Sequence, residues 1–298
     1  MKKLLLLLML SIFAESIFAQ SFYNRRIDRQ WIVSAGTGTA KYFGELTNDG
    51  DLFQGTLWNF EVGLERRIEQ RVSARVNLTT FQLRGSDALA GNEGRIPRNL
   101  NFTSWNAELS VIGVVQLFPE LGRYYQRPVI NPYVFAGIGA LYYNPRTDIP
   151  AVDHDGNALA DAGKMTSLRQ YETELKKYSP VTVTIPFGVG VKMMIAPPLN
   201  ISVNGGFRYT GSDYLDDVST QHYDDSKFAS PLAAALADRG PEIGYAIRPE
   251  GSVRGNPKKK DAYFIFSIRV DYYLPPQIFG GGGNKYNRRR KAPKRRIP

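Results

Sequence analysis

Seven ionisable residues, Glu61, Arg75, Glu108, Lys192, Arg208, Arg269 and Asp271, interrupt apolar stretches at positions that keep step with Ser, Thr, Asn and Gly. In an extended chain successive side chains point to opposite sides, so each charge shares a face with those polar neighbours while the apolar residues occupy the other. Charges confined to a narrow interior must pair, because an unpartnered buried charge is costly. The expected chemistry is therefore ion pairing, with Arg75, Arg208 and Arg269 facing carboxylates such as Glu61, Glu108 and Asp271. Nucleophilic or acid-base chemistry has thinner support. The only histidines are His154 and His222, and a hydrolase or acyltransferase at a membrane rim needs a His beside a Ser or carboxylate. His154 lies in VDHDGN, which reads as a turn, and both histidines read as exposed loop residues. Neither Asp153, Asp155 and Asn157 nor Asp213, Asp216, Asp217, Asp224 and Asp225 have the D-x-D-x-D-G spacing of a calcium loop. GTGTA and FAGIGA match no phosphate-binding fingerprint. No catalytic residue, metal or cofactor is assigned, and the chain is expected not to be an enzyme.

The elements that carry the charges are strands. In 102–118, Trp105, Ala107, Leu109, Val111, Val115 and Leu117 alternate with Asn106, Glu108, Ser110 and Gln116. In 180–195 the apolar set is Val181, Val183, Ile185, Phe187, Val189, Val191 and Met193; in 262–274 it is Phe264, Phe266, Ile268, Val270 and Tyr272. Segments 57–68, 70–83 and 199–211 behave alike, whereas in 31–43 and 130–142 the glycines Gly36, Gly38, Gly137 and Gly139 blur the pattern. The connections after the first, third, fifth and seventh segments are long and the others shorter, the arrangement of a membrane barrel with long loops outside and turns in the periplasm. Aromatic residues gather at strand ends (Trp31, Tyr42, Phe43, Trp58, Trp105, Tyr142, Tyr143, Tyr209, Tyr272 and Tyr273), where interface girdles belong.

The fold expected is thus all-β, an eight-stranded antiparallel transmembrane β-barrel over 31–275 with long extracellular loops. A soluble lipocalin-like barrel or sandwich would carry a charged outer face instead. Inside the loops, Leu168, Tyr171, Leu175 and Tyr178 share one helical face. Ser230 and Pro231 begin a helix as N-cap and first-turn proline, with Gly240 closing it.

Residues 1–19 read as a secretory signal peptide, with Lys2 and Lys3 before an apolar run, and 20–30 as an N-terminal periplasmic segment. The net charge of +10 is concentrated beyond 276, where Lys285, Arg288, Arg289, Arg290, Lys291, Lys294, Arg295 and Arg296 form a basic periplasmic tail behind a GGGG linker. A basic tail on an exported chain suits an acidic protein partner or an anionic cell-wall polymer and speaks against nucleic acid.

Several stretches resemble one family in order along the chain: AKYFGELTN, RVNLTTFQLRGSDA, INPYVFAGIGALYYNPRTD, FRYTGSDYLDDVST and RGNPKKKDAYFIF. Together they resemble the PorG-like outer-membrane barrels of the Bacteroidota type IX secretion system, with DYLDDVS and RGNPKKKDAY the most specific blocks. The resemblance implies a noncatalytic accessory of protein secretion, with gliding motility a related role. It further implies residence in the outer membrane against lipid and association with the periplasmic ring formed by a lipoprotein and its partner. It supplies no contact residues, and the arginine-rich tail lies outside the family pattern. A small stand-alone porin or receptor is the alternative.

Overall fold

The computed structural model describes residues 29–47, 55–89, 94–121 and 125–275. The segments expected to be a signal peptide, 1–19, and a basic tail, 276–298, lie outside the described residues, as does all but the end of segment 20–30. Among the described residues ten strands run in chain order: β1 (Trp31–Phe43), β2 (Leu57–Arg67), β3 (Val72–Ser86), β4 (Asn101–Gln116), β5 (Ile130–Tyr142), β6 (Pro145–Asp148), β7 (Met165–Ser167), β8 (Val181–Ala196), β9 (Leu199–Thr210) and β10 (Ala262–Tyr273). Eight of them close a barrel, each antiparallel to the next from β1 to β5 and then from β8 to β10, with β5 paired to β8 and β1 paired to β10. The closing ladder runs from Ile32 opposite Tyr273 to Phe43 opposite Ala262. β6 and β7 form a small hairpin that prolongs the wall beyond the long-loop end of β4, pairing Arg146 with Thr103.

Polarity explains which way each strand faces. Leu109, Val111, Val115, Val181, Val183, Ile185, Val189, Ile268 and Val270 are exposed on the outer wall, while Asn106, Glu108, Ser110, Thr184, Lys192, Ser267, Arg269 and Asp271 are buried within. A water-soluble barrel has the opposite arrangement. An apolar exterior over a polar interior is what hydrocarbon requires, and closure satisfies the strand backbones without an edge. No helix among the described residues is long and apolar enough to cross a membrane.

The glycines that blur the alternation of β1 have a steric cause. Gly38 sits against the β10 backbone so closely that a Cβ would overlap the carbonyl oxygen of Phe266. Aromatic girdles form only in part. Trp58, Trp105, Tyr142, Tyr209 and Tyr272 are exposed, and Trp58 meets Trp105 edge to face at 4.9 Å between ring centroids. Tyr42, Tyr143 and Tyr273 were expected in a girdle but are buried inside. Each has an aromatic neighbour in sequence, and adjacent residues of an extended chain cannot share a face.

At the long-loop end the connections fold inward over the mouth. Tyr42, Phe81, Leu83, Phe102, Leu141 and Tyr263 from the wall, with Tyr143 just past β5, pack with Leu46, Leu168, Leu215, Val218 and Leu236 from the loops in one apolar cluster. The helix expected over 168–178 does not form: Leu168–Gln170 is a single 3-10 turn, and Glu172 and Leu175 have φ of 48° and 52°. Leu168, Tyr171 and Tyr178 still reach the apolar cluster, but Leu175 is exposed, so three of the four residues expected on one face are packed and the helical period is wrong. The second helix, α1 (Pro231–Ala237), begins as expected, with the Ser230 hydroxyl accepting from the Ala233 N–H. It ends at Asp238, and Gly240 opens a further 3-10 turn instead of closing the helix.

Val111 and Val189 are 55% and 63% exposed in the middle of the outer wall. Val111→Arg or Val189→Arg is expected to weaken folding into lipid vesicles by about 2–4 kcal/mol, the cost of an arginine near the bilayer midplane. Heat-modifiable gel migration across a urea series measures it.

Candidate functional site

All seven charged residues expected inside are there and buried. Their partners are only partly the expected ones. Arg75 bonds Glu65, with Nε at 2.9 Å and Nη2 at 2.6 Å from Oε2, and Lys192 Nζ lies 2.7 Å from the other oxygen of the same carboxylate. The Ser73 hydroxyl also donates to Glu65, at 2.6 Å, so one carboxylate answers two cations. Tyr133 extends this centre: Lys192 and Arg75 lie 5.6 and 5.7 Å from its ring centroid, and its hydroxyl accepts from Arg269 at 3.2 Å. Arg269 is held more loosely between Glu61 at 3.6 Å and Asp271 at 3.8 Å. Glu108 makes no ion pair among the described residues but accepts from the Tyr263 hydroxyl and from Thr184 at 3.3 Å. Arg208 donates to the Gly206 carbonyl at 2.6 Å. Its expected pairing with a carboxylate is absent among the described residues, because its guanidinium satisfies a backbone acceptor two residues away.

Glu65 and Arg67 share the inward parity of Glu61 on β2, so alternation alone could have added them. Glu120 carries no such signal because it follows β4 in a turn. It nevertheless lies 3.1 Å from Arg67 and accepts from the Tyr273 hydroxyl at 3.0 Å. Arg127 stacks 3.9 Å from the Tyr273 ring centroid and donates to Asn200 at 2.7 Å. These groups fill the short-turn end, the Glu65 and Arg269 groups fill the middle, and the apolar cluster covers the other end. The lumen is thus occupied along its length, as expected for a barrel of eight strands.

The loop-end cap is a second polar system. Buried Arg254 donates to Glu174 at 2.8 Å, to the Asp217 carbonyl at 2.5 Å and to the Ala237 carbonyl at 3.2 Å. Glu174 also accepts from the N–H of Ser219 at 2.8 Å. Burial pushes the Glu174 carboxyl up, but Arg254 and these hydrogen bonds outweigh it and hold it below its usual value. Asp217 accepts from Thr173 and, at 2.7 Å, from the Tyr178 hydroxyl, yet burial pushes its carboxyl up to about 6 against the pull of Arg254. Arg98 forks onto Asp87 with both contacts at 2.7 Å, and Arg239 bonds Asp148 at 2.9 Å and Glu242 at 2.6 Å. A third group, Glu45, Asp213, Asp216 and Asp261, has carboxyls held above their ordinary values, by burial first and, for Asp216, next by Asp261.

Both histidines depart from the exposed positions expected of them. His154 is held at Nδ1 by Asp225 at 2.6 Å and at Nε2 by the Asp238 carbonyl at 2.8 Å. His222 is buried, and its Nε2 has no hydrogen-bond partner among the described residues. Asp153 caps its own turn, accepting from the N–H groups of Asp155 at 3.0 Å and Asn157 at 2.7 Å.

No protein-family model matches the chain, and no curated protein matches it. Among solved structures, Neisserial surface protein A aligns with a TM-score of 0.41 and 9% identity, over 82% of this chain and 97% of that one. The outer membrane protein OprG from Pseudomonas aeruginosa aligns with a TM-score of 0.39 and 9% identity, over 84% and 99%. A major outer membrane protein from Thermus thermophilus gives 0.37 and 13%, over 81% and 98%. The barrel assignment rests on the strand ladder itself, which closes at β1 and β10.

Removing the shared carboxylate should be costly. Glu65→Gln leaves Arg75 and Lys192 buried without a counter-charge and is expected to destabilise the barrel by about 3–5 kcal/mol. Asp161→Asn, which breaks an exposed pair with Lys164, should cost less than about 1 kcal/mol. Urea unfolding in micelles followed by tryptophan fluorescence separates the two.

The cap should also respond to pH through His222, whose imidazole is lowered to about 4 by burial and then by Arg254, with Arg248 and Arg98 adding to the effect and Asp238 opposing it. Its stabilising contribution is complete above the unfolded value near 6.5 and is lost as the pH falls toward about 4. Relative to His222→Gln, the wild type should lose about 1–3 kcal/mol over that interval, at about 1.4 kcal/mol per pKa unit. Limited proteolysis of the 212–261 loop at stepped pH measures the difference.

Proposed function

We propose that this chain is an outer-membrane barrel that serves, without catalysis, as a fixed component of the type IX secretion machinery and of the gliding machinery linked to it. In this reading it ties the periplasmic ring, a lipoprotein and its partner, to the membrane. The observation that carries the proposal is the filled lumen. Glu65 with Arg75 and Lys192, Arg269 with Glu61 and Asp271, and Glu120 with Arg67 occupy the interior with buried charge of both signs. The apolar cluster closes the long-loop end. A barrel filled in this way offers its outer surfaces for use and not a passage.

Assignment to type IX secretion rests on the sequence blocks that resemble its PorG-like barrels. Three of those blocks meet in space at the cap, AKYFGELTN through Tyr42 and Glu45, DYLDDVS through Asp213, Asp216 and Asp217, and RGNPKKKDAY through Arg254 and Asp261. Distant segments that meet in one packed unit support the reading that they form one structural device. With the long loops facing outside, the short turns face the periplasm, and an even number of wall strands would return the basic residues after β10 to that same side. Lys285, Arg288, Arg289, Arg290, Lys291, Lys294, Arg295 and Arg296 would there meet an acidic surface of the ring or an anionic cell-wall polymer.

Deleting 285–298 is expected to leave the barrel heat-modifiable while reducing co-purification of ring proteins from native membranes. The loss should grow as salt is lowered in the wash, since screening weakens the charged contact in the intact protein at high salt. Normal secretion and full retention of partners at every salt concentration would remove the tail from the proposal. Steady solute conductance in planar bilayers would favour the stand-alone porin.

A further inference from the structure

Four carboxylates converge beneath the cap from segments distant in sequence. Glu45 follows β1, Asp213 and Asp216 follow β9, and Asp261 precedes β10. Glu45, Asp213 and Asp261 each present one carboxylate oxygen, and these three atoms lie within 4.8 Å of one another. Like charges so close are held together only if something positive or a proton lies among them. No ion pair joins any of the four to a cation among the described residues. Lys176, Lys259 and Lys260 are exposed and only partly offset the burial that raises the Glu45 and Asp213 carboxyls.

Hydrogen bonding leaves a particular pattern of oxygens. On Glu45, Oε1 accepts from the Asn256 N–H at 3.3 Å and Oε2 is buried without a partner. On Asp213, Oδ2 accepts from the Ser219 hydroxyl at 2.7 Å and Oδ1 is unpartnered. Asp261 is fixed at both oxygens, by the Tyr42 hydroxyl at 2.5 Å and the Leu215 N–H at 2.9 Å. Asp213 is 2% exposed, so its unpartnered Oδ1 is the sign that a ligand belongs in the trio, while Asp216 lies outside that trio and beside it. Asp216 is 1% exposed, its Oδ1 accepts from the Val218 N–H at 3.0 Å, and its Oδ2 has no partner. Its strongest charged neighbours are Asp261 and Glu45, and it lies against the Tyr42 hydroxyl that also bonds Asp261. Each carboxylate is therefore anchored through at least one oxygen, and three leave the other oxygen buried without a partner. Buried oxygens without a partner also occur in the lumen, on Glu61 and Glu108, but here they belong to carboxylates that converge on one another. The backbone makes room for the group as well, since a Cβ on Gly44 would overlap the Tyr42 hydroxyl and an oxygen of Asp261.

We propose that Glu45, Asp213 and Asp261, with Asp216 beside them, bind one divalent cation, Ca²⁺ in preference to Mg²⁺. The donors are all hard carboxylate oxygens. Their mutual spacing fits an ion that takes ligands at about 2.3–2.6 Å in flexible geometry, whereas Mg²⁺ demands a near-ideal octahedron and keeps several waters. The ion ties the segment after β1 to both ends of the β9–β10 connection. It thus fastens the cap across the mouth, and its affinity does not depend on the secretion role proposed above.

The test uses the full mature chain in detergent micelles, stripped with EDTA and titrated with CaCl₂ or MgCl₂ in a calorimeter. One calcium per chain, at least tenfold weaker magnesium binding, a higher unfolding temperature with calcium and slower proteolysis of the 212–261 loop are expected. Asp213→Asn should lower calcium affinity at least tenfold, whereas Asp161→Asn, on an exposed loop, should leave it unchanged. Wild-type protein gives a second readout that does not depend on a variant folding: terbium emission excited through nearby tyrosine and displaced by calcium. The proposal is overturned if wild type gives no calcium heat and the same unfolding temperature in CaCl₂ and EDTA, the result expected if shared protons neutralise the cluster. It is equally overturned if folded Asp213→Asn and Asp261→Asn bind calcium as wild type does.

Discussion

The antiparallel pairing of β1 with β10 is the contact on which the remainder of the molecule depends. Without it the sheet would have two open edges, and in hydrocarbon each unpaired backbone group costs several kcal/mol. With it, every wall strand has two neighbours, and the two faces of each strand become an inside and an outside. That division sends Val111, Val189 and Ile268 to the exterior and confines Glu61, Arg75, Lys192 and Arg269 to an interior with little access to water.

Confinement then dictates the interior chemistry. Glu65 can accept from Arg75, Lys192 and Ser73 because the lumen brings β2, β3 and β8 within reach of one another. Across an open sheet β2 and β8 would be far apart, so this centre belongs to the closed form alone. A buried ion pair gives little net stability over an apolar replacement, but loss of one member is expensive. The interior charges therefore act as a condition on closure more than as its driving force, which comes from burying the outer wall in lipid.

The cap follows a different logic, since its loops have no repeating pattern to direct them. Arg254 organises one half through Glu174, Asp217 and the Ala237 carbonyl, and the apolar cluster around Leu168, Leu215 and Leu236 seats the whole on the barrel mouth. The other half gathers Glu45, Asp213, Asp216 and Asp261, where burial and like charge oppose each other. A molecule with a rigid wall, a filled lumen and one electrostatically strained patch in its lid has that patch as its most responsive part.

Alternation along single strands determined much of this protein from the sequence. It gave all eight wall strands to within a few residues at their ends, the outward set from Leu109 to Val270, and the inward position of seven charged residues, because a period of two is a local property of extended chain. Glu65 and Arg67 were within reach of the same rule. Pairing was not: Arg75 chose Glu65 over Glu61, and Arg208 chose the Gly206 carbonyl, since register and lumen diameter decide which inward side chains meet. The loops resisted reading for the same reason. Leu168, Tyr171, Leu175 and Tyr178 have helical spacing, but Glu174 is drawn to Arg254 and to the Ser219 N–H, and the chain takes left-handed turns at Glu172 and Leu175 to deliver it. The contacts of His154, the burial of His222 and the meeting of Glu45 with Asp213 and Asp261 were likewise settled only by tertiary structure. Each joins segments far apart in the chain or packs a loop against one, and no local spacing records which distant partner will satisfy a buried polar group.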